Sequence, residues 1–203
     1  FARSLIENRL KEFGFLDKIK IVTIENDQDI KLNNFNLSFI STTHSIPEPH
    51  AILIKTKYGN LLHTADWKID FNPTIGEQID QKQFEKIGNE GLLALIGDST
   101  NADVPGFSKS ELEVKEELIK IFSRYNKRII ITCFSSNIER MESIFIAAKK
   151  NNRKVALVGR SMKKTIAAAI ENDIIDKDIS FISEDEASLI PRENLVVICT
   201  GSQ

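Results

Sequence analysis

Much of the first half of the chain consists of short hydrophobic runs with the length of β-strands, separated by polar residues. Residues 36–41, 51–56 and 60–65 form short runs of this kind, and Tyr58-Gly59-Asn60 separates the last two. A glycine flanked in this way is typical of a tight turn, so these two runs are predicted to pair as an antiparallel hairpin. The other elements predicted here are a helix over residues 1–13 and strands over 19–24, 29–31 and 92–96.

The pattern changes after Pro105-Gly106, where helical segments begin to alternate with continuous apolar runs. Ser108 and Glu111 have the spacing of a capping box, which predicts the start of a helix. Continuous apolar strands between helices are typical of a parallel sheet covered on both faces. The predicted strands are 128–133, 154–158 and 195–199, and the predicted helices that follow the first two are 138–148 and 162–171.

Composition is that of an ordinary globular protein, with 41% hydrophobic and 28% charged residues among 203. The net charge of −2 gives no general attraction to nucleic acid, so a polyanion would need a local site. No apolar run reaches the roughly 18–20 residues of a membrane helix.

Cys133 and Cys199 lie in apolar strands and are predicted to be reduced core residues, which favours a cytoplasmic location. Since the sequence opens on Phe1 without an initiator Met, we expect a piece of a longer protein.

His44 and Asp66 are the first candidates for chemistry, because each directly follows an apolar strand. Imidazole and carboxylate groups are the ligands of hydrolytic zinc and manganese sites. Two such ligands are too few for a catalytic metal, so either further ligands lie elsewhere or there is no metal site. A lone histidine beside a strand is more often a structural residue. Asp98 also ends an apolar strand, where a carboxylate serves either catalysis or a turn.

A second candidate site lies where three strands of the second half end in small polar loops. Such loops form the ligand crevice of open α/β sheets, and helix N-termini that open from them attract anions. The predicted phosphate or nucleotide crevice consists of Ser135, Ser136, Asn137, Gly159, Arg160, Ser161, Thr200 and Ser202. The alternative is that these residues only build turns and helix caps. Neither a dinucleotide fingerprint nor a P-loop occurs.

Seven short segments, taken together and in this order, carry a family resemblance. They are Thr43–Glu48, His63–Asp70, Asp98–Asn101, Pro105–Glu111, Phe134–Asn137, Gly159–Met162 and Thr200–Gln203. The chain resembles bacterial ribonuclease J over essentially its whole length. The resemblance implies an α/β chain with part of a metallo-β-lactamase αββα core at 1–106. It also implies part of a β-CASP domain with a mainly parallel sheet at 107–203.

The resemblance also implies an activity and its residues. Family members hydrolyse RNA phosphodiesters with two divalent metal ions, so zinc is expected here, with manganese as the second choice. They act as 5′→3′ exonucleases that prefer a 5′-monophosphate and as endonucleases. By this match His44 is a metal ligand, Asp66 bridges both metals, and Asp98 is the acidic β-CASP motif that orients site groups. The expected partner is single-stranded RNA, with no membrane, and the full-length protein is expected to be a homo-oligomer.

The chain also departs from the family pattern. The HxHxDH motif and the later histidine motifs are absent from these residues, Ala65 stands where glycine is usual, and Ser135 replaces a common alanine. We therefore expect this chain alone to be inactive and to bind metal weakly. Two other classes stay open. One is a related metallo-hydrolase acting on DNA or a small ester, and the other is a non-catalytic RNA- or nucleotide-binding protein of the same fold.

Overall fold

The computed structural model describes residues 1–25 and 28–200. Its helices are α1 (Ala2–Glu12), α2 (Gln81–Glu90), α3 (Glu111–Arg124), α4 (Ile138–Lys150), α5 (Arg160–Glu171) and α6 (Glu184–Leu189). Its strands are β1 (Asp29–Leu32), β2 (Phe35–Ser41), β3 (His50–Thr56), β4 (Gly59–His63), β5 (Ala94–Ile96), β6 (Ile129–Thr132), β7 (Lys154–Val158) and β8 (Leu195–Cys199). Short 3-10 helices cover Leu16–Lys18 and Arg192–Asn194.

The first sheet has the strand order β1-β2-β3-β4-β5. β3 and β4 pair antiparallel with Thr56 opposite Gly59, which confirms the predicted hairpin. β5 joins parallel to β4, with Leu62 opposite Leu95. Alternate side chains point to opposite faces of a strand, and one face of this sheet packs on α2. The buried residues of this core are Ile40, Ala51, Leu53, Leu62 and Ile87.

The strand predicted over residues 19–24 is wrong. Residues 19–25 pair with no other strand among the described residues, and Ile19 and Val22 are exposed. Among the described residues the first strand begins at Asp29, which confirms the strand predicted over 29–31. Apolar residues alone did not make a strand here, because a strand also needs a partner for its backbone groups.

The second sheet is parallel throughout, in the order β6-β8-β7, as the alternation of strands and helices predicted. Its core includes Ile138, Met141, Phe145 and Ala148 on the predicted inner face of α4. The two sheets lie on either side of the predicted boundary near residue 106, which itself stays a prediction. The mixed α/β class is confirmed.

The start of α3 differs from the prediction. Its N-cap is Ser110, whose side chain accepts a hydrogen bond from the Glu113 amide, so the box predicted from Ser108 is wrong. Glu111 becomes the first helical residue and is only 5% exposed.

Cys133 is buried, Cys199 is half-buried, and both thiols are free. Burial raises the pKa of the Cys133 thiol to about 11, so it stays protonated at neutral pH. Across residues 1–25 and 28–200, no helix has the length and apolar character needed to cross a bilayer.

Candidate active site

Backbone pairing brings the His44 and Asp66 segments side by side. Thr43 and Lys68 form an antiparallel bridge, in which the Lys68 amide donates to the Thr43 carbonyl at 2.8 Å. On the other side, the Thr64 amide donates to the Ile96 carbonyl at 3.0 Å, extending the β4–β5 pairing toward Asp98. The first candidate residues therefore lie on three neighbouring segments.

Asp98 lies at the centre of this arrangement. Its Oδ1 accepts hydrogen bonds from the Thr100 amide at 2.9 Å and the Thr100 hydroxyl at 2.6 Å. These bonds, together with the Trp67 amide and electrostatic attraction to the His44 ring, lower the pKa of the Asp98 carboxyl. Asp98 therefore forms a turn next to the His44 and Asp66 segments, and its catalytic role stays a prediction.

The turn after β4 presents Asp66 to solvent. Ala65 has a φ of 52°, in the left-handed region where a side chain costs about 1–2 kcal/mol. The Ala65 amide donates to His63 Nδ1 at 3.0 Å, which gives His63 a structural role. Asp66 is exposed, whereas His44 is half-buried with its Nδ1 3.2 Å from Ser45 Oγ.

Two of the donors that a divalent metal needs are present at this site. His44 and Asp66 are of the right chemical type for zinc or manganese. The described ranges contain no group of three His, Cys, Asp or Glu side chains that could hold a metal ion. A catalytic zinc keeps three protein ligands, so these residues alone do not form a complete metal site.

The loops of the second candidate site meet at one edge of the parallel sheet. The Cys133 amide donates to the Cys199 carbonyl at 3.3 Å, which joins the ends of β6 and β8. A Cβ added at Gly159 would lie 3.0 Å from Thr200 Cγ2, so the ends of β7 and β8 are in close contact. Gly159 also has a φ of 123°, which a side chain would strain.

The two helices that open from this edge differ in their caps. Asn137 caps α4 by accepting from the Arg140 amide at 2.9 Å, so the structural alternative holds for this side chain. Gly159 begins α5 without any side-chain cap, which leaves the first-turn amides open to an anion. Among the other predicted residues, Ser136, Arg160 and Ser161 are exposed, Ser135 and Thr200 are half-buried, and Ser202 lies outside the described residues.

Sequence reasoning missed a group of charged residues between the two sheets, which we call the junction network: Lys68, Asp70, Glu111 and Arg140. Lys68 Nζ lies 3.1 Å from both Asp70 Oδ2 and Glu111 Oε1. Arg140 holds Glu111 with two bonds, Nε to Oε2 at 3.1 Å and Nη2 to Oε1 at 3.0 Å. Burial acts to raise the pKa of the Glu111 carboxyl, but Arg140 and Lys68 outweigh it and keep that pKa below its usual range. Burial acts in the same direction on Asp70, whose pKa is lowered chiefly by hydrogen bonds from the Asn72 and Glu111 amides and then by Lys68.

Glu139 is a second buried carboxyl that the sequence did not single out. It is 2% exposed, and its Oε1 accepts from the Thr74 amide at 2.9 Å and the Ile75 amide at 2.8 Å. Burial, with the nearby Glu111 charge, raises the Glu139 pKa to about 7. Glu139 and His44 both line a cavity of about 260 Å³.

Comparison with known proteins identifies the family. Residues 126–203 match the family described as ribonuclease J, beta-CASP domain. The chain is 42% identical over all its 203 residues to Ribonuclease J of Sinorhizobium meliloti and 38% identical to Ribonuclease J 1 of Streptococcus pyogenes. It is 33% identical over 98% of its length to Ribonuclease J2 of Bacillus subtilis. The chain belongs to the ribonuclease J family.

This chain spans 36% of the length of each of those three family relatives. A solved structure gives the fold alone: a protein of unknown function from Enterococcus faecalis aligns with a TM-score of 0.61 and 14% identity. That alignment covers 90% of this chain and 45% of the other. The β-CASP match falls on the parallel sheet and is consistent with the metallo-β-lactamase superfamily fold predicted for this ribonuclease J family chain.

Proposed function

We propose that this chain works within a metal-dependent ribonuclease that hydrolyses RNA phosphodiester bonds. One observation carries the proposal: the His44, Asp66 and Asp98 segments are hydrogen-bonded neighbours in a chain of the ribonuclease J family. Imidazole and carboxylate groups grouped in this way suit the binding of a hydrolytic metal.

In this proposal, His44 and Asp66 are metal ligands that act with further ligands outside this chain. Zinc is the first choice and manganese the second; when bound, two such ions polarise a phosphoryl group and lower the pKa of water for attack. Asp98 orients the Asp66 turn, because its carboxylate accepts from the Trp67 amide. Its low pKa keeps that acceptor ionised at neutral pH.

The substrate in this proposal is single-stranded RNA with a 5′-monophosphate. The uncapped start of α5 and the exposed Arg160 guanidinium support a phosphate-binding role. Ser135 and Ser136 would add hydroxyl donors at the same edge. We further propose both 5′→3′ exonuclease and endonuclease action by a homo-oligomeric, cytoplasmic full-length enzyme.

The test is cleavage of a 5′-phosphorylated RNA oligonucleotide by the full-length protein and its Asp66→Ala variant. We expect the variant to lose cleavage, because it lacks the proposed bridging ligand. Asp185→Ala, which removes an exposed carboxylate in the first turn of α6, is the matched control and should cleave normally. Wild-type turnover by Asp66→Ala would remove Asp66 from the mechanism.

The same assay distinguishes a ribonuclease from the two alternatives, a related hydrolase with another substrate and a non-catalytic binding protein. Parallel reactions with single-stranded DNA of the same sequence and with a generic ester test the related hydrolases. Faster turnover of either substrate than of RNA would refute the ribonuclease proposal. Tight RNA binding by metal-loaded protein without any cleavage would favour the non-catalytic binding protein.

A further inference from the structure

The junction network connects the two candidate sites through buried ion pairs. Glu111 lies at its centre, with side-chain exposures of 6% for Glu111 and 1% for Asp70, whereas the cations are partly exposed, Lys68 at 21% and Arg140 at 31%. Two cations face two anions, so the charges balance within the network. A buried carboxylate that loses one of its two cations is only partly compensated, which is energetically costly.

One end of the network is fixed to the segments that carry the metal-ligand candidates. Lys68 follows Asp66 by two residues, and its amide is bonded to Thr43, which precedes His44. The Asp70 amide donates to Thr43 Oγ1 at 3.1 Å. Any displacement of Lys68 or Asp70 therefore moves the backbone that positions His44 and Asp66.

The other end is fixed to the helices of the second sheet. Asp70 Oδ2 accepts from the Glu111 amide at 2.9 Å, at the start of α3. Arg140 lies in the first turn of α4, three residues after Asn137, at the edge that holds Ser135 and Ser136. The bidentate hydrogen bonding of the Arg140 guanidinium to the Glu111 carboxylate fixes the relative orientation of the two side chains as well as their distance.

We propose that Lys68, Glu111 and Arg140 are positioning residues that hold the His44 and Asp66 segments in register with the strand-end loops of the parallel sheet. The expected effect on RNA turnover rests on the proposed ribonuclease function, whereas the expected effect on the distance between the two halves does not. An RNA bound at the loops must present its scissile phosphate to the His44 and Asp66 side chains, and small misplacements of reacting groups are costly.

The first test is the kinetics of the metal-loaded full-length enzyme with Arg140→Met and Arg140→Lys. We expect Arg140→Met to lower kcat about tenfold and to change KM by less than about threefold, since each half keeps its own contacts but loses alignment. Arg140→Lys keeps the charge and should recover part of kcat. Arg124→Met, at the exposed far end of α3, is the control and should match the unmodified enzyme.

The second test needs no activity. Spin labels at Lys57→Cys, in the turn between β3 and β4, and at Lys150→Cys, at the end of α4, report the distance between the two halves. The labelled full-length protein has its other cysteines replaced by alanine. Arg140→Met should broaden the distance distribution measured by double electron–electron resonance, whereas Arg124→Met should leave it unchanged. If Arg140→Met does not fold, Glu111→Gln takes its place with the same expected results.

The outcomes separate the two proposals. A lower kcat with a broadened distribution supports the positioning role. Unchanged kcat, or a lower kcat with an unchanged distribution, overturns it and leaves the network with a purely structural role. If the unmodified enzyme cleaves no RNA, the proposed function fails, and the distance distributions alone decide whether the network holds the two halves in place.

Discussion

The buried carboxyl of Glu139 should make the stability of this chain depend on pH. Its Oε1 already accepts two backbone amides from the 74–75 segment, and its pKa is raised to about 7 mainly by burial. The charged groups around it are Glu111, which raises that pKa, and Lys68, which lowers it. We predict that Glu139→Gln removes this pH dependence while keeping the shape and the acceptor oxygen.

The magnitude follows from the difference between the folded and unfolded pKa values. The unfolded carboxyl titrates near 4.5 and the folded one near 7, so between these values the folded state holds one more proton. Stability therefore falls as pH rises through this window, by about 1.4 kcal/mol per unit and about 3 kcal/mol in total. Glu111 and Asp70 have lowered pKa values, so their contribution is lost only at acidic pH, below this window.

The assay is urea unfolding of the 203-residue chain at pH 5, 6, 7 and 8, followed by fluorescence of its single tryptophan, Trp67. The difference in unfolding free energy between Glu139→Gln and the unmodified chain should grow in favour of the variant from pH 5 to pH 8. Glu85→Gln, on the exposed side of α2, is the control and should show no such trend. A difference that does not vary with pH would refute the reasoning.

Three further predictions concern single positions and metal binding. Ala65→Gly should raise the unfolding free energy by up to about 1 kcal/mol, because it relieves the left-handed φ; a clear loss in urea unfolding would contradict this. Gly159→Ala should lower it by about 1–3 kcal/mol through strain and the contact with Thr200, and unchanged stability would refute the close approach. Calorimetric titration of the 203-residue chain with zinc should show weak binding, whereas tight one-to-one binding at His44 and Asp66 would contradict an incomplete site.

Local sequence patterns predicted many of the strands and helices and how they pair. Gly59 in its turn fixed the β3–β4 hairpin, and continuous apolar strands predicted the parallel sheet. Since parallel strands share their carboxyl ends, the grouping of the Gly159 and Thr200 loops at one edge was also predictable, although the neighbouring positions of β7 and β8 were not. These features depend on neighbours in the chain or on the periodicity of one element.

Features set by tertiary contacts were not predictable in this way. Both Ser108 and Ser110 precede a glutamate at capping-box spacing, and in the fold Ser110 is the cap while Glu111 is held by Asp70, Lys68 and Arg140. A charged residue on a helix is usually solvated, so the burial of Glu111 and Glu139 has no local signal. The sequence around His44 and Asp66 indicated their chemistry, but their pairing across the Thr43–Lys68 bridge required the fold.

The strand order of the parallel sheet has a consequence for how this domain is made. β8 is the last strand of the three to be synthesised, yet it lies between the other two, with Ile131 and Cys199 in contact across 68 positions. Among the described strands β6 and β7 form ladders only with β8, so those ladders cannot form until β8 has left the ribosome. Until then the apolar faces of α4 and α5 lack Val196 and Ile198, the fully buried residues that complete their core. Sheet closure is therefore a late and non-local step, during which the nascent domain is most exposed to aggregation.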